Sequence, residues 1–312
     1  MDFSFAAFSK SFFHALAGSG TIKEAASRYG MRRPTSFARR FIAGERVEEA
    51  IEAARAIEAD GMLVTLDFLG ESVASIDEAA AATRDYLGVV DAIAAAGIGR
   101  NISLKLTQLG LDVDRATTVD NLRRILDRAA AQDFFVRIDM ESSAYTERTL
   151  EIFETLWQQG YRNAGVVIQS YLRRSEKDVR RMNALGARVR LVKGAYKEPK
   201  DAAYQSMDEV NAQYLELMRL LLDEGTYPAI ATHDPPMIEA TRAHAASRGY
   251  PTGRFEFQML YGIRRDLQAR LSSDGYPFRV YVPFGRDWFP YFMRRLGERP
   301  ANVLFVAKSL LR

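Results

Sequence analysis

The sequence predicts an α/β protein: a closed (β/α)8 barrel, in which eight parallel strands are each followed by a helix. Three observations predict it. Eight short apolar runs are spread between Met62 and Val282, with helix-period segments between them. Nearly every run ends in a polar or charged residue, on the side where barrels of this kind carry their function. The Gly-rich turn that a doubly wound dinucleotide sheet needs after its first strand is missing: Phe68-Leu-Gly-Glu71 stands there, and GxGxxG occurs nowhere in the chain.

The elements follow in order. Residues 3–17 and 35–57 read as helices punctuated by Gly18-Ser-Gly20 and Pro34, which makes 1–58 a pair of N-terminal helical arms and 59–312 the barrel with its C-terminal helices. The predicted strands are Met62–Asp67, Asn101–Leu106, Phe134–Asp139, Val166–Gln169, Arg188–Val192, Ala229–Thr232, Phe255–Gln258 and Arg279–Val282. Helices are expected over 77–96, 117–131, 144–159, 175–185, 201–224, 235–248 and 260–270, then over 287–296 and at the C-terminus. Ser75-Ile-Asp-Glu78 and Ser142-Ser-Ala-Tyr-Thr-Glu147 supply capping oxygens and early acids, and Ser175-Glu-Lys-Asp178 has the form of a capping box. Gly97, Gly160, Gly186, Gly225 and Gly249 fall where a left-handed residue ends a helix.

Composition narrows the function. The 312 residues are 47% hydrophobic and 27% charged, a globular composition with material for a large core. A net charge of +3 gives no reason to expect nucleic acid. The absence of cysteine excludes disulfides, thiolate metal sites, iron–sulfur clusters and a thiol nucleophile. With only His14, His233 and His244, no His-rich metal site is possible, and no metal is expected. No apolar run reaches the length that spans a bilayer, and no signal peptide is read, so a cytoplasmic protein is expected. The Arg-rich stretch 28–46 is either a solvated helical arm or a patch drawn to an anionic membrane surface.

The strand ends carry the chemistry. They present Asp67, Lys105, Asp139, Gln169, Arg190 with Lys193, Thr232 with His233, Gln258 and Tyr281. Inward polar groups need a ligand or a partner, and so many together point to an active site. Two cations and a phenol in Arg190-Leu-Val-Lys-Gly-Ala-Tyr196 suit an anionic ligand. After the last strand an aromatic helix ends in Arg294-Arg295, about 100° apart on its surface, which one edge can aim at a single anion. Spacing alone leaves Lys193 open between a Schiff-base nucleophile and a phosphate contact. It leaves His233 open between a general base and a cofactor hydrogen bond.

Taken in order, Ser103-Leu-Lys-Leu-Thr107, Arg137-Ile-Asp-Met-Glu141, Val167-Ile-Gln-Ser-Tyr-Leu-Arg173, Arg190-Leu-Val-Lys-Gly-Ala-Tyr196, Ala231-Thr-His-Asp234, Phe255-Glu-Phe-Gln-Met-Leu-Tyr-Gly262 and Tyr281-Val-Pro-Phe-Gly285 resemble the proline dehydrogenase (proline oxidase) family in its short, single-function bacterial form. The resemblance spans about residues 35 to 312. It implies a distorted TIM-type barrel, a final barrel helix over the active site, and noncovalent FAD at the strand C-termini. It implies oxidation of L-proline to 1-pyrroline-5-carboxylate, the first step of proline catabolism to glutamate, with electrons passed to a membrane quinone. The implied partners are that quinone, reached by peripheral association at the inner face of the membrane, and a pyrroline-5-carboxylate dehydrogenase.

Carried over by residue, the resemblance makes Lys105, Tyr281, Arg294 and Arg295 the substrate clamp, and Leu260 and Tyr196 the pocket wall. Asp139 becomes the acid that orients Lys105 and Tyr281. Arg190 becomes the donor to the flavin near its hydride-accepting nitrogen. Met140, Gln169, Val192, Lys193, Gly194, Ala195, Thr232 and His233 become flavin contacts, and Glu298 the partner that steadies the arginine pair. Where some longer relatives place Trp after Gly-Ala-Tyr, this chain has Lys197, which leaves the adenosine contacts open.

Overall fold

The structure, a computed structural model, describes Met31, residues 37–70 and residues 72–297. The helix expected over 3–17, the C-terminal helix and Glu298 lie outside the described residues. Strands β1 (Leu63–Phe68), β2 (Asn101–Leu104), β3 (Phe135–Ile138), β4 (Ala164–Gln169), β5 (Arg188–Val192), β6 (Ala229–Ala231), β7 (Glu256–Leu260) and β8 (Phe278–Phe284) are all parallel and close into one barrel in sequence order. The ring shuts where β1 pairs β8 from Leu63↔Arg279 to Phe68↔Phe284.

The helices are α1 (Val47–Ala59), α2 (Ile76–Ala96), α3 (Arg115–Ala130), α4 (Ser143–Gln158), α5 (Ser175–Leu185), α6 (Met207–Glu224), α7 (Pro235–Ser247), α8 (Arg265–Ser273) and α9 (Trp288–Gly297). Side chains on a strand alternate between two faces. One set (Val64, Leu66, Ile102, Leu104, Val136, Ile138, Val166, Ile168, Val189, Leu191, Val280, Val282) is buried in a single apolar cluster with helix residues such as Tyr86, Ile93, Leu122, Phe153 and Leu217. The alternate set bonds across the barrel: Arg190 reaches Asp139 and Ser103, Tyr281 reaches Asp139, and Arg279 reaches Glu256. The hydrophobic core therefore lies between sheet and helices, and the barrel interior is polar.

Four local expectations are corrected. The helix expected over 35–57 is a 3-10 turn, Phe37–Arg40, followed by α1. The backbone between them is drawn into the end of β8: Ala43 N–H donates to Pro283 O at 2.9 Å, and Gly285 N–H to Gly44 O at 3.0 Å. The Glu49 carboxylate then accepts the N–H groups of Glu45 and Arg46 and restarts the helix. The helix expected from 201 begins at Met207, capped by Ser206 with Glu209, because Ala202 and Tyr204 pair with Arg173 and Tyr171 instead. The helix expected over 260–270 starts at Arg265, since β7 continues to Leu260, which pairs with Tyr281. Finally, Ser175 is not a cap. Arg174 takes that position, the Ser175 hydroxyl donates to Gln169 O, and Asp178 pairs with Arg174. Ser75 caps α2 as expected, whereas the Ser142 side chain makes no cap of α4. Gly97, Gly160, Gly186 and Gly249 have positive φ, whereas Gly225 is extended.

Candidate active site

A cavity of about 690 Å³ opens at the C-terminal ends of the strands. That volume is ample for a cofactor and a small substrate. Strands β2, β3, β4, β5, β7 and β8 each lift a polar residue into it, in the strand or just past its end. Lys105 follows β2, Asp139 follows β3, Gln169 ends β4, Arg190 lies in β5, Gln258 in β7 and Tyr281 in β8. The β5–α6 connection adds Lys193, Gly194, Ala195 and Tyr196, and the β6–α7 connection adds Thr232, His233 and Asp234. Helix α9 closes the mouth with Tyr291, Arg294 and Arg295, which the three- and four-residue spacing puts on one face. Its other face packs Trp288, Phe289 and Phe292 against Phe41, Ile42 and Leu69, and the Trp288 indole donates to Glu45 at 3.0 Å. The segment 37–46 thus seats the helix that carries both arginines.

At the floor, Asp139 joins two neighbours. Its Oδ1 accepts from the Arg190 guanidinium at 2.8 Å, and its Oδ2 accepts from the Tyr281 hydroxyl at 2.8 Å. Arg190 also donates to Ser103 at 3.2 Å and lies 5.3 Å from the Tyr281 ring centroid. The Lys105 ammonium sits 3.5 Å from Asp67, which is fully buried. Burial lifts the Asp67 carboxyl above its usual range, with Lys105 pulling it down and Asp139 pushing it further up. Burial works against the Lys105 charge, but Asp67 and Asp139 outweigh it and hold the lysine above its ordinary value. Burial, then Asp139 and Asp67, push the Tyr281 phenol well up. Burial likewise raises Tyr196. At neutral pH the floor therefore holds the Lys105 ammonium and two protonated phenols, Tyr196 and Tyr281.

Every sequence-predicted site residue among the described ones borders this cavity, while Glu298 lies outside them. Lys193 is not a bare nucleophile: its ammonium meets Asp234 at 2.6 Å. His233 Nε2 accepts the Leu260 N–H at 3.0 Å, which puts the neutral ring's proton on Nδ1. The Gln169 amide donates to Glu141 O at 2.8 Å. The role expected of Asp139 divides in two: it bonds Tyr281 and Arg190, while the ion pair of Lys105 is with Asp67. Sequence reading named Asp67 and Asp234 without giving them a part. It missed Ser103, Glu141, Met207 and Tyr291. Glu141, raised by burial, accepts the Thr107 hydroxyl and backbone beneath Lys105. It stood two residues beyond Asp139 in a motif already singled out, which was the available signal.

The family model described as proline dehydrogenase matches residues 50–308. The chain belongs to the proline dehydrogenase family. It is 41% identical over 297 residues to proline dehydrogenase 1 of Bacillus subtilis, covering 95% of this chain and 97% of that protein. Against proline dehydrogenase of Deinococcus radiodurans it is 41% identical over 281 residues, covering 89% and 91%. It also matches the bifunctional protein PutA of Escherichia coli at 30% identity, over 85% of this chain but 23% of that one. Among solved structures, proline utilization A from Bdellovibrio bacteriovorus, inactivated by N-propargylglycine, superposes with a TM-score of 0.78 at 28% identity. That match covers 83% of this chain and 32% of the other. The closed barrel thus belongs to a chain that matches two curated proline dehydrogenases over about nine-tenths or more of their length.

Proposed function

We propose that this protein oxidises L-proline to 1-pyrroline-5-carboxylate, with noncovalently bound FAD as the immediate acceptor and a membrane quinone as the final one. The observation that carries the reading is the convergence of Lys105, Arg294 and Arg295 with Tyr196, Leu260 and Tyr281 in one cavity. Proline offers a carboxylate, an amine and an apolar ring, and this set answers each part. The two guanidinium groups and the ammonium hold the carboxylate by charge-assisted hydrogen bonds. Tyr196, Leu260 and Tyr281 bound the ring and fix its orientation. The surrounding cations lower the pKa of the substrate amine, so that its lone pair is free to assist loss of hydride from the neighbouring carbon. Asp139, through its bonds to Tyr281 and Arg190, keeps the floor in register.

The residues on the β4–β6 side fit FAD. Arg190 is buried with its Nε uncommitted, a donor that points to a missing acceptor. Beside it stand the Lys193 ammonium for the pyrophosphate, and Met140, Gln169, Val192, Gly194, Ala195, Thr232 and His233 as further contacts. Bound FAD would supply the hydride acceptor that amino-acid side chains lack. We read residues 59–312 as the catalytic barrel and 1–58 as helical arms. The absence, among the described residues, of a helix long and apolar enough to cross a membrane is compatible with a quinone met by peripheral contact at the cytoplasmic face, and the Arg-rich stretch 28–46 supports that contact. The match to part of a bifunctional protein supports a pyrroline-5-carboxylate dehydrogenase as the partner that takes the product.

The test is the visible spectrum of purified protein before and after anaerobic L-proline. Flavin bands that bleach with L-proline are expected. Bands untouched by proline would discard the substrate, and a colourless protein that takes up no added FAD would discard the cofactor.

A further inference from the structure

We propose that Tyr171 and Glu198 form a latch that positions the Gly194–Tyr196 segment at the wall of the cavity. The inference rests on the functional reading above for its effect on substrate, though not for its geometry. Strand β5 ends at Val192, and residues 193–206 connect it to α6. The far half of this connection is tied down by backbone: Tyr204 N–H donates to Tyr171 O at 2.8 Å, Arg173 N–H to Ala202 O at 3.0 Å, and Arg173 Nε to Lys200 O at 3.0 Å. The near half carries the residues that face the ligand; the Tyr171 backbone N–H donates to Lys193 O at 2.9 Å, and beyond that point side chains hold it. The Tyr171 hydroxyl donates to Glu198 Oε1 at 3.2 Å. The Tyr196 backbone also lies within reach of the Tyr171 hydroxyl. The Tyr171 ring packs so tightly on Gly194, which has a φ of +119°, that a Cβ there would run into it.

Glu198 is anchored in turn. Its carboxylate accepts the Ser143 backbone N–H at 2.8 Å and the Ser143 hydroxyl, in the first turn of α4. A helix N-terminus favours that negative charge. Helix α4 follows β3, the strand that delivers Asp139. The latch therefore couples the connection that bears Tyr196 to the one that bears Asp139 and Met140. Neither Tyr171 nor Glu198 borders the cavity. They act through Gly194–Tyr196, so they are positioning residues. Burial and the Glu198 carboxylate push the Tyr171 phenol up, which keeps it a donor at any pH at which the enzyme works.

The experiment pairs Tyr171→Phe, which removes one hydroxyl, with Glu198→Gln, which removes one charge at constant shape. On the scale of a single lost hydrogen bond, each is expected to raise the KM for L-proline about five- to tenfold while kcat changes by less than about twofold and the flavin spectrum persists. The double variant is expected to be no worse than the worse single, because Tyr171 and Glu198 are links of one chain from Ser143 to Tyr196 and breaking either link opens it. Amide exchange at residues 194–198 should quicken in each variant, whether or not the protein turns over proline. Unchanged exchange, unchanged KM, or additive losses would each overturn the latch. Faster exchange in a protein that never oxidises proline would instead overturn the functional reading and leave the latch standing.

Discussion

The two ends of the barrel interior both bury charge, and they treat it differently. At the N-terminal end, Glu256 accepts from Arg279 twice, at 2.8 and 2.9 Å, and from Gln258. Arg279 also donates to Val64 O at 2.7 Å, and Arg137 donates to Val166 O at 3.0 Å and Arg188 O at 2.6 Å. At the C-terminal end the bonding is incomplete. The Nε of the buried Arg190 has no hydrogen-bond partner, and the buried Asp67 carboxylate has only the longer ion pair with Lys105 at 3.5 Å. Buried polar groups are costly unless partnered. A cluster that completes its own bonds is scaffold, whereas a cluster with donors and acceptors left over is arranged for something that arrives later. The same strands, β3, β5, β7 and β8, serve both ends.

That contrast can be broken by substitution, starting with the largest effect. Glu256→Ala leaves Arg279 buried without its carboxylate and should cost about 3–5 kcal/mol of stability, read as a lower midpoint in chemical denaturation. A normal midpoint would mean that the lower cluster is no scaffold. Asp139→Ala should do the reverse: because Arg190 borders the open cavity and keeps its bond to Ser103, the barrel should lose less stability than with Glu256→Ala, while kcat/KM for L-proline falls by about a hundredfold because Tyr281 and Arg190 lose their common anchor. Retained kcat would remove Asp139 from the site. Arg294→Ala removes one charged donor from α9, and its expected effect is a rise of about ten- to a hundredfold in KM with flavin still bound. Loss of the flavin spectrum would assign this arginine to the cofactor instead.

The smallest effect is on pH dependence, and there the two ends should differ in sign. Burial opposes the charge of Glu256, but Arg279 outweighs it and holds the carboxyl below its usual 4.5. Its stabilisation is complete above 4.5 and is lost as pH falls through the lower folded value. Asp67 is raised above its usual 3.8, so its contribution is present below 3.8 and lost as pH rises through the folded value. At neutral pH Glu256→Gln should therefore melt well below the wild type and Asp67→Asn by clearly less, because relief of the Asp67 desolvation offsets part of what Lys105 loses with its partner. Equal losses in a pair of thermal scans would erase the distinction between the ends.

Much of this was legible beforehand because it is local. The runs that became β1 to β8 alternate or are continuously apolar, and their polar last residues stand at the strand ends whatever the helices do. Ser75 caps α2 because its hydroxyl needs only the N–H three residues on, donated to it at 3.2 Å. The errors arose where backbone groups found distant partners. Ala43 pairs with Pro283, and the stretch before α6 pairs with Tyr171 and Arg173, so helices that periodicity would begin early begin late. The site divides in the same way. Lys105, Asp139, Arg190 and Tyr281 were readable one by one from their strands. Asp139 bonding both Arg190 and Tyr281, Asp234 closing on Lys193, and Glu198 reaching back to Ser143 were not, since each joins residues far apart in the chain.

By itself, then, the sequence determined the class of barrel, the order of its elements and the chemical types at the strand ends, because period-2 patterning and cap chemistry act within a few residues. Tertiary structure decided which of those groups complete one another and which are left wanting. Hydrogen bonding and desolvation depend on distances across the barrel, and those distances exist only once β1 has closed on β8.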